Sequence, residues 1–79
     1  DAVCFADPSA GKALGFFLNP ASLPRNTWFK MEFGAGKSVV CRELKSGDRF
    51  VSQPDDAGRI VFSLKLEPLE VKIIEFDYA

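Results

Sequence analysis

The chain has 79 residues, 47% of them hydrophobic and 13% aromatic, with ten Lys or Arg against eleven Asp or Glu and a net charge of −1. This length predicts a single domain, close to the smallest size at which a hydrophobic core can stabilise a fold by itself. The apolar content is too high for a disordered segment. The two signs of charge are interspersed, without the basic patch of a nucleic-acid binder, and no apolar run reaches the ~20 residues of a membrane span. We therefore expect neither nucleic acid nor a membrane as a partner.

Short β-patterned segments separated by turn residues follow one another along the chain. They predict strands at 3–6, 12–18, 27–33, 37–44 and 49–51, and two more strands between residues 59 and 76. Asn19-Pro20 ends the second strand, because proline cannot donate to a sheet ladder. No segment shows helical periodicity, and turn signals every 8–12 residues are typical of an antiparallel sandwich. The predicted fold is an all-β sandwich of seven or eight short strands.

Alternation of apolar and polar residues predicts which strand faces are buried. The clearest case is the closing stretch, where Pro68 separates two alternating segments. In the third strand, Trp28, Lys30 and Glu32 are predicted on the face opposite the apolar one. The predicted core consists of Leu14, Phe16, Leu18, Phe29, Met31, Phe33, Val40, Leu44, Phe62, Leu64, Leu66, Val71 and Ile73.

The two cysteines, Cys4 and Cys41, lie on separate predicted strands. A bridge between them could contribute ~3–4 kcal/mol in an oxidising compartment. Neither cysteine belongs to a disulfide-dense framework, so we favour two unpaired thiols. Because the chain has no His and only two Cys, a zinc site is not expected, and no cofactor is predicted.

Nothing in the sequence predicts catalysis. Residues 34–38 imitate the end of a phosphate-binding loop, but Met31 occupies the place of its first glycine and a strand follows where a helix is required. A glycine turn is the favoured interpretation. A hydrolytic triad in its usual form lacks a histidine base. Three pairs of acids could serve a glycosidase, although their predicted positions are turns and solvent-facing strands: Asp55 with Asp56, Glu67 with Glu70, and Glu32 with Glu43.

Two surface functions remain open. Trp28 could stack on a sugar ring, with Tyr78 as a second candidate and Arg25, Asn26 and Lys30 as neighbouring polar groups. Alternatively, Trp28 packs at the edge of the sandwich or against a neighbouring domain. The second interpretation is favoured by an apolar surplus predicted outside the core, at Phe17, Trp28, Ile74 and Phe76.

Three segments resemble small C-terminal β-sandwich domains that follow the catalytic barrel of many glycoside hydrolases, among them the α-galactosidase and α-amylase-like clans. These are the run from Lys12 to Asn19-Pro20, the turn from Glu43 through Gly47, and the final strand pair around Pro68. The resemblance implies a non-catalytic accessory domain that packs on and stabilises the catalytic domain of a larger, bacterial, periplasmic or secreted enzyme.

Two alternatives to the accessory domain stay open. One is a carbohydrate-binding module that uses Trp28, and the other is an immunoglobulin-like adhesion domain, which lacks the expected Cys…Trp…Cys spacing.

Overall fold

The computed structural model describes residues 1–33 and 38–78. Within these residues lie the strands β1 (Ala2–Asp7), β2 (Lys12–Leu18), β3 (Arg25–Glu32), β4 (Val39–Glu43), β5 (Arg49–Ser52), β6 (Arg59–Leu66) and β7 (Val71–Asp77). A five-stranded sheet in the order β1-β2-β7-β4-β5, here called the large sheet, faces the small sheet formed by β3 and β6. All pairings are antiparallel. The predicted small all-β sandwich is confirmed.

The core lies between the small sheet and the inner face of the large sheet. On β6 the predicted alternation is confirmed, since Ile60, Phe62, Leu64 and Leu66 are buried. The partly buried residues Phe29, Met31 and Phe33 pack against this core, as the alternation in the third strand predicts. Trp28 points away from the core, which the same alternation predicts.

Phe17 is the aromatic centre of the core. It is 2% exposed, and its ring centroid lies 4.6 Å from that of Phe29, 5.7 Å from that of Phe62 and 6.3 Å from that of Phe76. All three contacts are edge-to-face, the arrangement that aromatic quadrupoles favour. Phe17, Ile74 and Phe76 are all buried, so their prediction as apolar surplus outside the core is wrong.

The predicted buried face is also wrong for three strands of the large sheet. β2 buries Ala13, Gly15 and Phe17, β4 buries Val39, Cys41 and Glu43, and β7 buries Ile74 and Phe76. The residues predicted as core in these strands, or directly after them, lie instead on the outer face or are largely exposed: Leu14, Phe16, Leu18, Val40, Leu44, Val71 and Ile73.

This error has a physical cause. Both faces of β2 and β7 carry apolar residues, so a period of two shows that they are strands without showing which side is buried. The register then couples the strands, because Gly15 is paired with Ile74 and Phe16 with Ile73. Once Phe17 enters the core, its neighbours in the sheet are committed to the same orientation.

Asn19 connects the end of β2 to the corner between β6 and β7 through side-chain hydrogen bonds. The side chain is buried, and its Nδ2 donates to the carbonyls of Leu23 at 2.8 Å and of Leu66 and Glu67 at 3.2 Å. Its Oδ1 accepts from the amide of Ala21 at 3.0 Å. The sequence predicts Asn19 only as the end of a strand; the structure makes it a buried hydrogen-bonding centre.

Both cysteines are free thiols. The sheet order places β2 and β7 between β1 and β4, so Cys4 and Cys41 are three strand spacings apart, roughly 14 Å. This separation is about twice the Cα distance that a disulfide tolerates. Burial raises the pKa of the Cys41 thiol to about 11 and also raises the pKa of Cys4, so neither is activated as a nucleophile.

Candidate functional surfaces

The acidic pair at Asp55 and Asp56 belongs to a turn. Asp55 Oδ1 accepts from the backbone amides of Ala57 at 2.9 Å and Arg59 at 3.0 Å, and Oδ2 forms an ion pair with Arg59 at 3.2 Å. These interactions, led by the Arg59 amide, lower the pKa of Asp55. A general acid needs the opposite shift. Asp55 therefore holds the turn before β6.

The other acidic pairs also make structural contacts. Glu70 Oε1 accepts from the backbone amide of Glu67 at 2.9 Å, across the corner between β6 and β7. Glu43 lies on the inner face of β4 and accepts from the Ser46 amide. Interactions with the Ser46 side chain and then with its backbone amide lower the pKa of Glu43. Glu32 belongs to the small sheet and Glu43 to the large sheet, so they are not cross-strand partners.

The metal-site and phosphate-loop predictions stand differently against the structure. Among them, no group of three or more His, Cys, Asp or Glu side chains could hold a metal ion. The phosphate-loop imitation falls on residues 34–37, which lie outside the described residues, and Ser38 beyond them donates its hydroxyl to Gln53 Oε1 at 2.9 Å.

Trp28 is 71% exposed on the outer face of β3. Asn26 and Lys30 are also exposed and share this face, because residues two apart in a strand point to the same side. Arg25 is exposed but belongs to the opposite parity. Four residues were predicted as a sugar-binding or docking surface. Three of them, Arg25, Asn26 and Trp28, are exposed on β3, whereas Phe17 is buried in the core.

The outer side of the large sheet carries a second exposed surface. Its outer apolar face is formed on β1, β2 and β7 by Val3, Phe5, Leu14, Phe16, Leu18, Val71 and Ile73. Val3 is 55% exposed, Phe5 63% and Val71 43%. The rings of Phe5 and Phe16 meet edge-to-face at 6.0 Å. Sequence reasoning missed this surface because it assigned most of these residues to the core.

The outer apolar face ends at a charged border. Towards β4 and β5 the same side of the large sheet carries Glu75, Arg42 and Arg49. Arg42 of β4 is in register with Glu75 of β7 on one side and with Arg49 of β5 on the other. Arg42 and Glu75 form an ion pair at 3.1 Å. An apolar centre with a polar border is the usual anatomy of a protein interface.

A groove of about 620 Å³ opens between β1 and β3, and we call it the edge groove. One wall consists of the small side chains of β1 that point inward, namely Ala2, Cys4 and Ala6. The other wall is β3, together with Phe33 beyond its end, and Phe17 and Tyr78 also line the groove. No sequence pattern indicates this groove, because it exists only where the large sheet extends past the small one.

A second cleft, of about 520 Å³, lies at the opposite side of the sandwich. Its lining combines the apolar Phe50, Leu64 and Ile74 with charged residues of both signs, among them Glu43, Lys65 and Lys72. Glu43 already bonds to the Ser46 amide, and Lys65 lies 3.8 Å from a carboxylate oxygen of Glu67. These contacts hold the adjoining turns together.

No known protein family, curated protein or solved structure matches this chain. Its described part contains no helix of the length and apolarity needed to cross a membrane.

Proposed function

We propose that this protein is a non-catalytic accessory domain that packs on the catalytic domain of a bacterial, periplasmic or secreted glycoside hydrolase and stabilises it. The parent enzyme class comes from the resemblance of its strand and turn segments to C-terminal domains of such enzymes. The single observation that supports a packing role is the outer apolar face.

The outer apolar face extends across three neighbouring strands of the large sheet, β1, β2 and β7. Phe5 and Val3 are more than half exposed, and Phe16 lies beside them in the register. Contiguous apolar patches on soluble monomers usually mark interaction sites. Interfaces between domains of one chain typically bury ~600–1,500 Å², which is sufficient to cover a face of three strands.

Binding in trans tests this proposal. Catalytic barrels of the α-galactosidase and α-amylase-like clans, each prepared without its own C-terminal domain, are titrated with this protein by calorimetry. We expect saturable binding to at least one barrel and an increase in its melting temperature. Phe5→Ser is expected to weaken binding at least tenfold while leaving the domain folded, because Phe5 lies on the outer face.

Trp28→Ser is the matched control, since it removes a similarly exposed ring from the opposite side of the sandwich. It should leave barrel binding unchanged within about twofold. Failure to bind any barrel, or equal weakening by both substitutions, would contradict packing through the outer apolar face.

Carbohydrate binding by Trp28 is the second candidate function. The observation that favours it is the exposed indole, flanked on the same face by the polar side chains of Asn26 and Lys30. A flat ring of this kind offers apolar area to the face of a pyranose. In a glycan-array assay, this function predicts binding that is lost in Trp28→Ala and retained in Phe5→Ser. Absence of any glycan signal would contradict carbohydrate binding through Trp28.

A further inference from the structure

We propose that β1 is a detachable strand, which opens from β2 as one unit while the rest of the sandwich stays folded. The outer apolar face is then complete only while β1 is closed. The opening is a property of the free protein and does not depend on the proposed packing function.

The side chains of β1 add little to the core. All six of its residues are exposed, and none belongs to the buried core cluster. Its inward side carries the small side chains of Ala2, Cys4 and Ala6, which line the edge groove. On the outer side, the Phe5 ring meets that of Phe16 edge-to-face at 6.0 Å. Segments that bury so few apolar contacts open at low free energy.

Backbone pairing is what holds β1 in place. In the described part of the chain its only partner strand is β2. The pairing ends at Asp1 and Leu18, where the Leu18 amide donates to the Asp1 carbonyl at 2.9 Å and the Asp1 amino group donates to the Leu18 carbonyl at 3.2 Å. Because this edge of the sheet is in contact with solvent, water replaces such bonds when the strands separate, and each bond contributes little net stability.

The opposite edge of the large sheet differs from β1. β5 has only four residues, yet its Phe50 is partly buried against the core, with its ring centroid 5.8 Å from that of Phe62. Loss of β5 would therefore remove a ring from the core. Loss of β1 would leave Phe17, Phe62 and Phe76 in contact with one another between the two sheets.

The turn after β1 sets the limit of the opening. Within this turn the Ala10 amide donates to the Asp7 carbonyl at 3.1 Å and the Gly11 amide donates to the Pro8 carbonyl at 3.2 Å. The Gly11 carbonyl accepts from the Tyr78 amide at 2.8 Å, which connects the end of the turn to the end of β7. The hinge therefore lies between Asp7 and Gly11, and β2 remains paired with β7 when β1 leaves.

Opening removes part of the outer apolar face. Val3 and Phe5, its most exposed members, leave with β1. A partner that binds the complete face binds the closed form only, so it shifts the equilibrium towards closure. Docking on a catalytic domain is therefore linked to closure of β1; this consequence, unlike the opening itself, rests on the proposed function.

Alternate amides of β2 report the opening within a single strand. The Leu18 amide faces β1. By the alternation of an antiparallel ladder, the amides of Leu14 and Phe16 also face β1, whereas those of Gly15 and Phe17 face β7. Opening of β1 therefore exposes the first pair of amides to exchange with solvent and leaves the second pair protected.

Hydrogen exchange of the native protein, followed residue by residue by NMR, is the first experiment. After correction for intrinsic rates, we expect the Leu14 and Phe16 amides to exchange at least tenfold faster than those of Gly15 and Phe17. Equal rates would overturn the proposal, since β1 would then leave only when the whole domain unfolds. Protection that rises steadily from Leu18 to Leu14 would also overturn it, because that pattern indicates fraying from the chain end.

Ile60→Val separates local opening from global unfolding. Ile60 is buried on β6, which does not pair with β1, and loss of one methyl group weakens the core mildly. In this variant the Gly15 and Phe17 amides should exchange at least threefold faster, whereas those of Leu14 and Phe16 should change less than twofold. Equal acceleration of all four amides would contradict a separate opening.

The link to the outer apolar face is measured with the same amides. In a saturated complex with a catalytic barrel identified by calorimetry, Leu14 and Phe16 should exchange at least tenfold more slowly than in the free protein. Unchanged exchange in such a complex would refute the link. If no barrel binds, the proposed function fails, while the exchange pattern of the free protein still decides whether β1 opens as a unit.

Discussion

The ring of Phe17 lies across Gly15, its neighbour on the inner face of β2. A Cβ atom on Gly15 would come within 2.6 Å of Phe17 Cε2, 2.8 Å of its Cζ and 3.0 Å of Phe76 Cε2. Phe17 cannot swing aside, because it is buried among the rings of Phe29, Phe62 and Phe76. The absence of a side chain at Gly15 is what allows Phe17 to face the core.

We therefore predict that Gly15→Ala destabilises the domain by about 1–3 kcal/mol, the usual cost of overpacking a core. Without this contact, alanine would be favoured over glycine in a strand interior. Urea denaturation measures the change. The double variant Gly15→Ala/Phe17→Leu should show a smaller loss than the sum of the single changes, since leucine lacks the contacting ring atoms. A more stable Gly15→Ala protein would contradict this packing.

Asn19→Ala should lower the free energy of unfolding by about 1–3 kcal/mol, because the carbonyls of Leu66 and Glu67 lose their shared donor in a buried place. The measurement is again urea denaturation. Asn26→Ala is the control, because Asn26 is exposed on β3, and it should change stability by less than about 0.5 kcal/mol. Similar values for the two variants would mean that Asn19 does not hold the corner.

Leu69 is the position where substitution by glycine should stabilise the protein. It is a non-glycine residue with a positive φ, of 58°, and it follows Pro68 in a turn closed by the 3.0 Å bond from the Glu70 amide to the Glu67 carbonyl. A type II turn favours glycine at this place. Because the side chain is largely exposed, Leu69→Gly should gain about 0.5–1 kcal/mol from relief of backbone strain.

Leu23→Gly is the matched control for Leu69→Gly. Leu23 is as exposed as Leu69 but is not a positive-φ residue. Its replacement should leave the melting temperature unchanged or lower it, since glycine increases the entropy of the unfolded chain. A lower melting temperature in both variants would show that the turn does not strain Leu69.

Stability should fall in acid as Asp55 and Glu43 are protonated. The pKa of each is lowered in the folded protein, by the Arg59 amide and by Ser46 respectively. The stabilisation is therefore complete above the ordinary carboxyl range, near pH 4, and is lost as the pH falls through the lowered values. Urea midpoints between about pH 6 and pH 2.5 measure this loss. Asp55→Asn and Glu43→Gln should each flatten the profile, and an unchanged profile in both variants would show that these carboxylates do not carry the acid sensitivity.

Local sequence patterns predicted the strands and the orientation of the small sheet. β6 has alternating residues of clearly different polarity, and β3 separates Trp28 and Lys30 from Phe29 and Met31, so each strand has one plausible core face. The exposure of Trp28 followed from that contrast. The same reasoning failed at Phe17, because the neighbouring positions on β2 are also apolar and local alternation does not specify which face another sheet covers.

The sequence by itself determined that this chain forms short antiparallel strands, because period-two patterning and turn residues act locally along the backbone. Only the tertiary structure decided which face of β2, β4 and β7 is buried. That choice depends on the Phe17 ring, which lies across Gly15 and packs against Phe29 and Phe62 of the small sheet, residues distant in sequence. It also decided which surfaces remain open. The outer apolar face and the edge groove arise because a sheet of five strands is covered by a sheet of two.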